Sequence, residues 1–77
     1  MRRLADDEGR PWDAVVSRES WGALYALFVP AGAGRGEPIR RALLRSEGYD
    51  QAQRELDRLP EDELLLLFRS ARPTETT

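Results

Sequence analysis

The spacing of hydrophobic residues along the chain differs before and after a glycine-rich segment, residues 31–38. Before this segment, apolar and polar residues alternate. Side chains from Trp12 to Val16 fall on two faces in this way, which predicts a half-buried strand over Trp12–Arg18. The apolar run Leu24–Val29 predicts a second strand, ended by Pro30, and Leu4–Ala5 is a candidate short edge strand.

Two segments fit more than one period. Several apolar residues within Glu19–Phe28 also have helical spacing, but Gly22 disfavours a helix start and the run ends in β-favouring residues, so we favour the strand. Ile39–Leu44 fits either a strand or a helical turn, and the pattern leaves both open.

After the glycine-rich segment the period is helical. Tyr49, Ala52 and Leu56 begin a series spaced by three and four residues, which predicts a helix over Tyr49–Arg58. Pro60 suits the first position of a second helix, predicted over Glu61–Arg69 with acidic residues in its first turn. The predicted fold class is therefore α+β, with a small antiparallel sheet of three or four strands followed by two C-terminal helices packed on one face. We expect one domain over residues 1–73 and a frayed tail over 74–77.

Composition narrows the chemistry. The chain has 77 residues and contains neither Cys nor His, so disulfides, thiolate metal sites and a Ser-His catalytic triad are excluded. We predict no catalytic residues, no cofactor and no metal site. Because a domain this small buries little core, self-association is the remaining way to stabilise it.

Charge and hydropathy indicate the class of partner and the cellular compartment to expect. The 12 basic residues, all Arg, and 14 acidic residues give a net charge of −2, so a dedicated nucleic-acid-binding role is disfavoured. No apolar segment approaches the length of a membrane helix, and the N-terminal residues lack the apolar region of a signal peptide. We therefore expect a cytoplasmic bacterial protein that does not act at a membrane.

Two groups of residues are candidate sites. The glycine-rich segment lacks the Lys and Ser or Thr of a phosphate-binding loop, but a local basic cluster makes a possible anion-binding site; its residues are Arg35, Arg40, Arg41 and Arg45. Two surfaces also carry apolar residues that one copy cannot easily bury. They are the outer sheet face at Tyr25, Leu27 and Val29, and the outer helix side at Leu65 and Leu66.

The apolar residues left over on these two surfaces are the feature that best predicts the function. We expect a non-enzymatic protein–protein interaction module that forms a homodimer or docks on a larger protein assembly. The alternative is a small regulator that contacts nucleic acid or a phosphorylated ligand through the arginine cluster. An enzyme ranks third, because no motif supports one.

Overall fold

A computed structural model describes residues 2–32 and 36–74, which form an antiparallel sheet followed by two helices. The predicted α+β class is confirmed. The elements in chain order are β1 (Arg2–Ala5), β2 (Pro11–Arg18), β3 (Leu24–Pro30), β4 (Arg40–Leu44), α1 (Tyr49–Arg58), α2 (Glu61–Ser70) and β5 (Arg72–Pro73). The sheet has five strands, one or two more than predicted, and they lie side by side in chain order.

Tight turns join the first three strands, and each contains a glycine in the left-handed conformation. Gly9 has a φ of +78° and Gly22 a φ of +93°, which residues with a Cβ rarely adopt. In the first turn, the Asp6 carboxylate accepts hydrogen bonds from the backbone N–H groups of Glu8 and Arg10, both at 2.9 Å. These turns set the register of the two hairpins.

Both segments of ambiguous period are strands. β3 begins at Leu24, directly after the turn at Gly22, and lies at the centre of the sheet. The segment Ile39–Leu44 becomes β4 from Arg40 onward and pairs with β3 along its whole length. A strand lets β4 turn Ala42 into the core while the residues on either side point away from it.

The last strand was not predicted, because it has only two residues. Arg72 and Pro73 pair with Arg41 and Arg40 of β4. Thr74 continues the contact, since its backbone N–H and hydroxyl donate to the Ile39 carbonyl oxygen at 2.8 and 3.1 Å. Thr74 is therefore fixed at the sheet edge instead of belonging to the predicted frayed tail, and residues 75–77 lie outside the described residues.

The core lies between one face of the sheet and the two helices. Phe68 on α2 is its aromatic centre, with ring centroids 4.9 Å from Trp12 and 5.3 Å, edge to face, from Phe28. The buried core residues are Leu4, Trp12, Ala14, Val16, Leu24, Ala26, Phe28, Ala42, Ala52, Leu56, Leu64, Phe68 and Ala71.

Each helix buries two residues that are four positions apart. These are Ala52 and Leu56 on α1, and Leu64 and Phe68 on α2. Three acidic residues occupy the first turn of α2, where the helix dipole favours negative charge. Pro60 is the N-cap of α2, whereas the sequence predicted it at the first position within the helix.

Arg2 of β1 caps the C-terminal end of α1. Arg2 Nη1 donates hydrogen bonds to the carbonyl oxygens of Leu56, at 3.2 Å, Asp57, at 3.3 Å, and Leu59. The last carbonyl groups of a helix lack partners within it and form the negative end of its dipole. Arg2 therefore acts as a charged cap that joins β1 to α1.

Candidate interaction surface

The second face of the sheet, called here the outer face, carries the side chains that alternate with the core residues. Within residues 2–32 and 36–74, the helices and the buried core lie on the other face, and no element packs over this one. Leu43 is 61% exposed, and the other apolar residues of the face are half-buried among their neighbours. The large apolar residues of the outer face are Val15, Tyr25, Leu27, Val29 and Leu43.

Leu27 lies at the centre of this outer face. It belongs to the middle strand and is paired in register with Val15 of β2 and Arg41 of β4. Tyr25 is paired with Leu43 in the same way. Neighbouring strands place such side chains close enough to touch, so they form one continuous apolar patch.

Charged residues of both signs surround the patch. Arg3 and Asp13 form an ion pair at 3.0 Å on the β1 side. On the β4 side, Arg41 lies 3.8 Å from Glu19, with its guanidinium 4.8 Å from the centre of the Tyr25 ring. The outer face thus has an apolar centre and a polar rim, which is how protein interfaces are commonly built.

The structure brings together all three sheet residues that the sequence predicted, namely Tyr25, Leu27 and Val29. It adds Val15 and Leu43, which are not among the predicted residues. Alternation from Trp12 placed Val15 on this face, so the signal was present in the sequence. Leu43 had no clear signal until its segment was known to be a strand.

The two predicted helix residues do not share a surface. Leu65 packs partly against the core, whereas Leu66 is 60% exposed. A single exposed leucine is ordinary for a protein surface. The outer sheet face is therefore the larger apolar surface of the described residues.

The predicted arginine cluster is dispersed. Arg40 and Arg41 are consecutive residues of a strand, so Arg40 faces the core side and Arg41 faces the outer side. Arg45 follows the opposite end of β4 and is exposed. Arg35 lies outside the described residues. Arg40 and Arg41 therefore point to opposite faces of the sheet instead of forming one cluster on a single face.

Two features are absent from the described residues. No group of three or more Asp and Glu side chains there is arranged to hold a metal ion. None of the helices in residues 2–32 and 36–74 has the length and apolar character needed to cross a membrane.

Comparison with known proteins gives no family. No protein-family model matches the chain, and no characterised protein or solved structure shows significant similarity to it.

Proposed function

We infer that this chain is a non-enzymatic interaction module of the cytoplasm that forms a homodimer through its outer sheet face. The observation that carries the proposal is the apolar patch centred on Leu27, over which none of the described elements packs. Apolar area removed from water contributes about 25 cal/mol per Å² to association. Docking of the same face on a larger protein assembly is the alternative use of this surface.

A second copy is the occupant that the face fits best. Sheets pack face to face about 10 Å apart through interdigitating side chains, as in β-sandwiches. In a two-fold symmetric pair, each copy meets the same patch on its partner, so apolar centre lies against apolar centre. The rim carries both signs of charge, with Arg3 and Arg41 beside Asp13 and Glu19, so two copies do not repel through a single-sign field.

The size of the face sets the expected affinity. Four strands about 4.8 Å apart, with about six residues rising roughly 3.3 Å each, give a flat area on the order of 400 Å². A stable interface buries about 800 Å² on each partner. The outer face is smaller than that, so we expect a reversible dimer with a micromolar dissociation constant.

The test is sedimentation velocity over a dilution series from about 0.1 μM to about 1 mM, which brackets a micromolar dissociation constant. The wild-type chain should shift from monomer to dimer across this range. Leu27→Glu should remain monomeric, because it places two carboxylates near the symmetry axis. Leu66→Glu on the exposed side of α2 is the matched control and should dimerise like the wild type.

A charge-swap experiment shows whether the two Leu27 side chains meet. Leu27→Glu and Leu27→Lys should each be monomeric alone and should associate when mixed, because opposite charges then face each other. A wild-type chain that stays monomeric at about 1 mM would contradict the proposal. Dissociation by Leu66→Glu, with no effect of Leu27→Glu, would move the interface to the helix.

A further inference from the structure

Arg40 occupies an unusual environment on the core side of β4. Its guanidinium carbon lies 4.7 Å from the centre of the Phe68 ring and 5.3 Å from the Trp12 ring. Its Nε is the one buried side-chain nitrogen or oxygen of the described residues that has no hydrogen-bond partner. Nε is thus taken up by packing in the core, and the terminal Nη atoms are the part of the guanidinium left to bind a partner.

The guanidinium opens into a small cleft that already contains carboxylates. The cleft has a volume of about 220 Å³, and it lies where the β1–β2 turn meets the last turns of α2. Its lining residues are Asp6, Asp7, Glu8, Arg10, Arg40, Phe68 and Arg69. Among the described residues, no carboxylate lies within ion-pair distance of Arg40, although three share its cleft.

The three carboxylates are engaged elsewhere. Asp6 accepts from Trp12 Nε1 at 3.0 Å and from two backbone N–H groups, so its oxygens are occupied. The Trp12 hydrogen bond, helped by those backbone groups and by the charge of Arg10, lowers the pKa of Asp6 and keeps it ionised.

The other two acids of the cleft have arginine partners of their own. Asp7 pairs with Arg69 at 2.6 Å, and Glu8 pairs with Arg10 at 3.0 Å. Arg40 therefore remains as a half-buried cation whose charge no carboxylate of the described residues contacts.

We propose that the cleft binds a single carboxylate group through the Nη atoms of Arg40. Guanidinium groups bind carboxylates through two parallel hydrogen bonds. Because Arg40 Nε is buried, the terminal Nη atoms are the donors that can reach a ligand. The proposal does not depend on dimer formation, since Arg40 and the outer face lie on opposite sides of the sheet.

The charge of the cleft selects a monoanion. Its three arginines and three acids sum to no net charge, although Arg40 itself forms an ion pair with none of these acids. The exposed carboxylates of Asp7 and Glu8 would repel a phosphate dianion about twice as strongly as a monoanion, and would repel the many charges of a nucleic-acid backbone more strongly still. The volume is also below the roughly 300–1,000 Å³ of sites for whole small molecules, which suits one carboxylate of a small acid or of a peptide C-terminus.

The test is an NMR titration that follows the Arg40 Nε–Hε and Trp12 Nε1–Hε1 resonances at pH 7. Acetate, N-acetylglycine and inorganic phosphate are added separately while sodium chloride holds the ionic strength constant. We expect saturable shifts with both carboxylates at millimolar dissociation constants, because one ion pair near water is weak. N-acetylglycine binding several-fold tighter than acetate would identify a peptide C-terminus as the source, and equal affinities would identify a small acid.

Two matched variants separate this site from general charge effects. Arg40→Lys keeps the charge but loses the paired donors, and should weaken carboxylate binding about ten-fold. Arg41→Lys, on the opposite face, should change it less than about two-fold. The proposal fails if neither carboxylate gives a saturable shift, if Arg40→Lys binds as well as the wild type, or if phosphate binds more tightly than acetate.

Discussion

Replacing the edge-to-face pair of Phe28 and Phe68 with leucine tests whether ring geometry, beyond apolar area, stabilises this core. The two ring planes meet at 83° with centroids 5.3 Å apart. Such pairs contribute about 0.5–1.5 kcal/mol beyond their buried area. Phe68 also contacts Trp12 at 4.9 Å, so Phe68→Leu loses two such pairs, and we expect it to lower the free energy of unfolding by about 2–3 kcal/mol.

That loss is large for a domain of this size. Domains are stable by about 0.05–0.15 kcal/mol per residue, which gives roughly 4–12 kcal/mol here. Phe68→Ala, at about 3–5 kcal/mol, would remove the whole stability if it lies at the lower end of that range, and leucine is therefore the safer substitution. In small domains each kcal/mol lowers Tm by about 4–8 °C, so Phe68→Leu should melt roughly 10 °C or more below the wild type.

The assay is a double-mutant cycle of Phe28→Leu and Phe68→Leu, measured by urea denaturation with far-ultraviolet circular dichroism. The coupling energy should be about 1 kcal/mol. Leu66→Ala, on the exposed side of the same helix, is the control and should change stability by less than about 0.5 kcal/mol. Additivity within about 0.3 kcal/mol would refute the ring-geometry argument.

Two further predictions concern charged groups. Asp6→Asn should be less stable than the wild type at neutral pH; because the pKa of Asp6 is lowered in the folded state, this difference should shrink as pH falls below about 3.9 and through the lowered pKa. Urea midpoints between about pH 2 and 7 check this, and a gap that does not vary with pH would contradict it. Arg2→Met should destabilise the chain by about 1 kcal/mol by uncapping α1, and should speed amide hydrogen exchange in the last turn of that helix. Arg3→Met, on the opposite side of β1, removes only a surface ion pair and should leave that exchange unchanged.

Three of the four longer elements of this fold could be predicted because each repeats its period over at least six residues. These are β2, which alternates, and α1 and α2, which repeat every three or four residues. β3 is an unbroken apolar run that also fits a helix, and Gly22 and its β-favouring residues decided for a strand. The bounds of all four elements agree with prediction to within one residue. β4 was ambiguous because a five-residue run fits both periods. β5 carries no periodic signal at all, because its pairing depends on where α2 directs the chain.

The candidate sites likewise divide into residues that a sequence pattern groups correctly and residues whose placement depends on the fold. Tyr25, Leu27 and Val29 could be grouped from the sequence because alternation alone places them on one face. Arg40 and Arg41 are neighbours in sequence but lie on opposite faces, because consecutive residues of a strand alternate, and this could not be predicted while the segment also fitted a helix. The partial burial of Leu65 depends on how α2 is seated against the core, which no pattern within the helix reveals.

The order of strands in the sheet has a consequence for the kinetics of folding. β1 to β4 each pair with a neighbour in the chain, so their pairings have low contact order and can form early. The β4–β5 pairing instead closes a loop that contains both helices, and closing a longer loop costs more entropy. We therefore expect β5 to pair with β4 only after α1 and α2 have docked on the sheet. Hydrogen exchange of the Thr74 amide, which bonds to the Ile39 carbonyl oxygen, should then report the opening of the helical layer separately from the opening of β1 to β4.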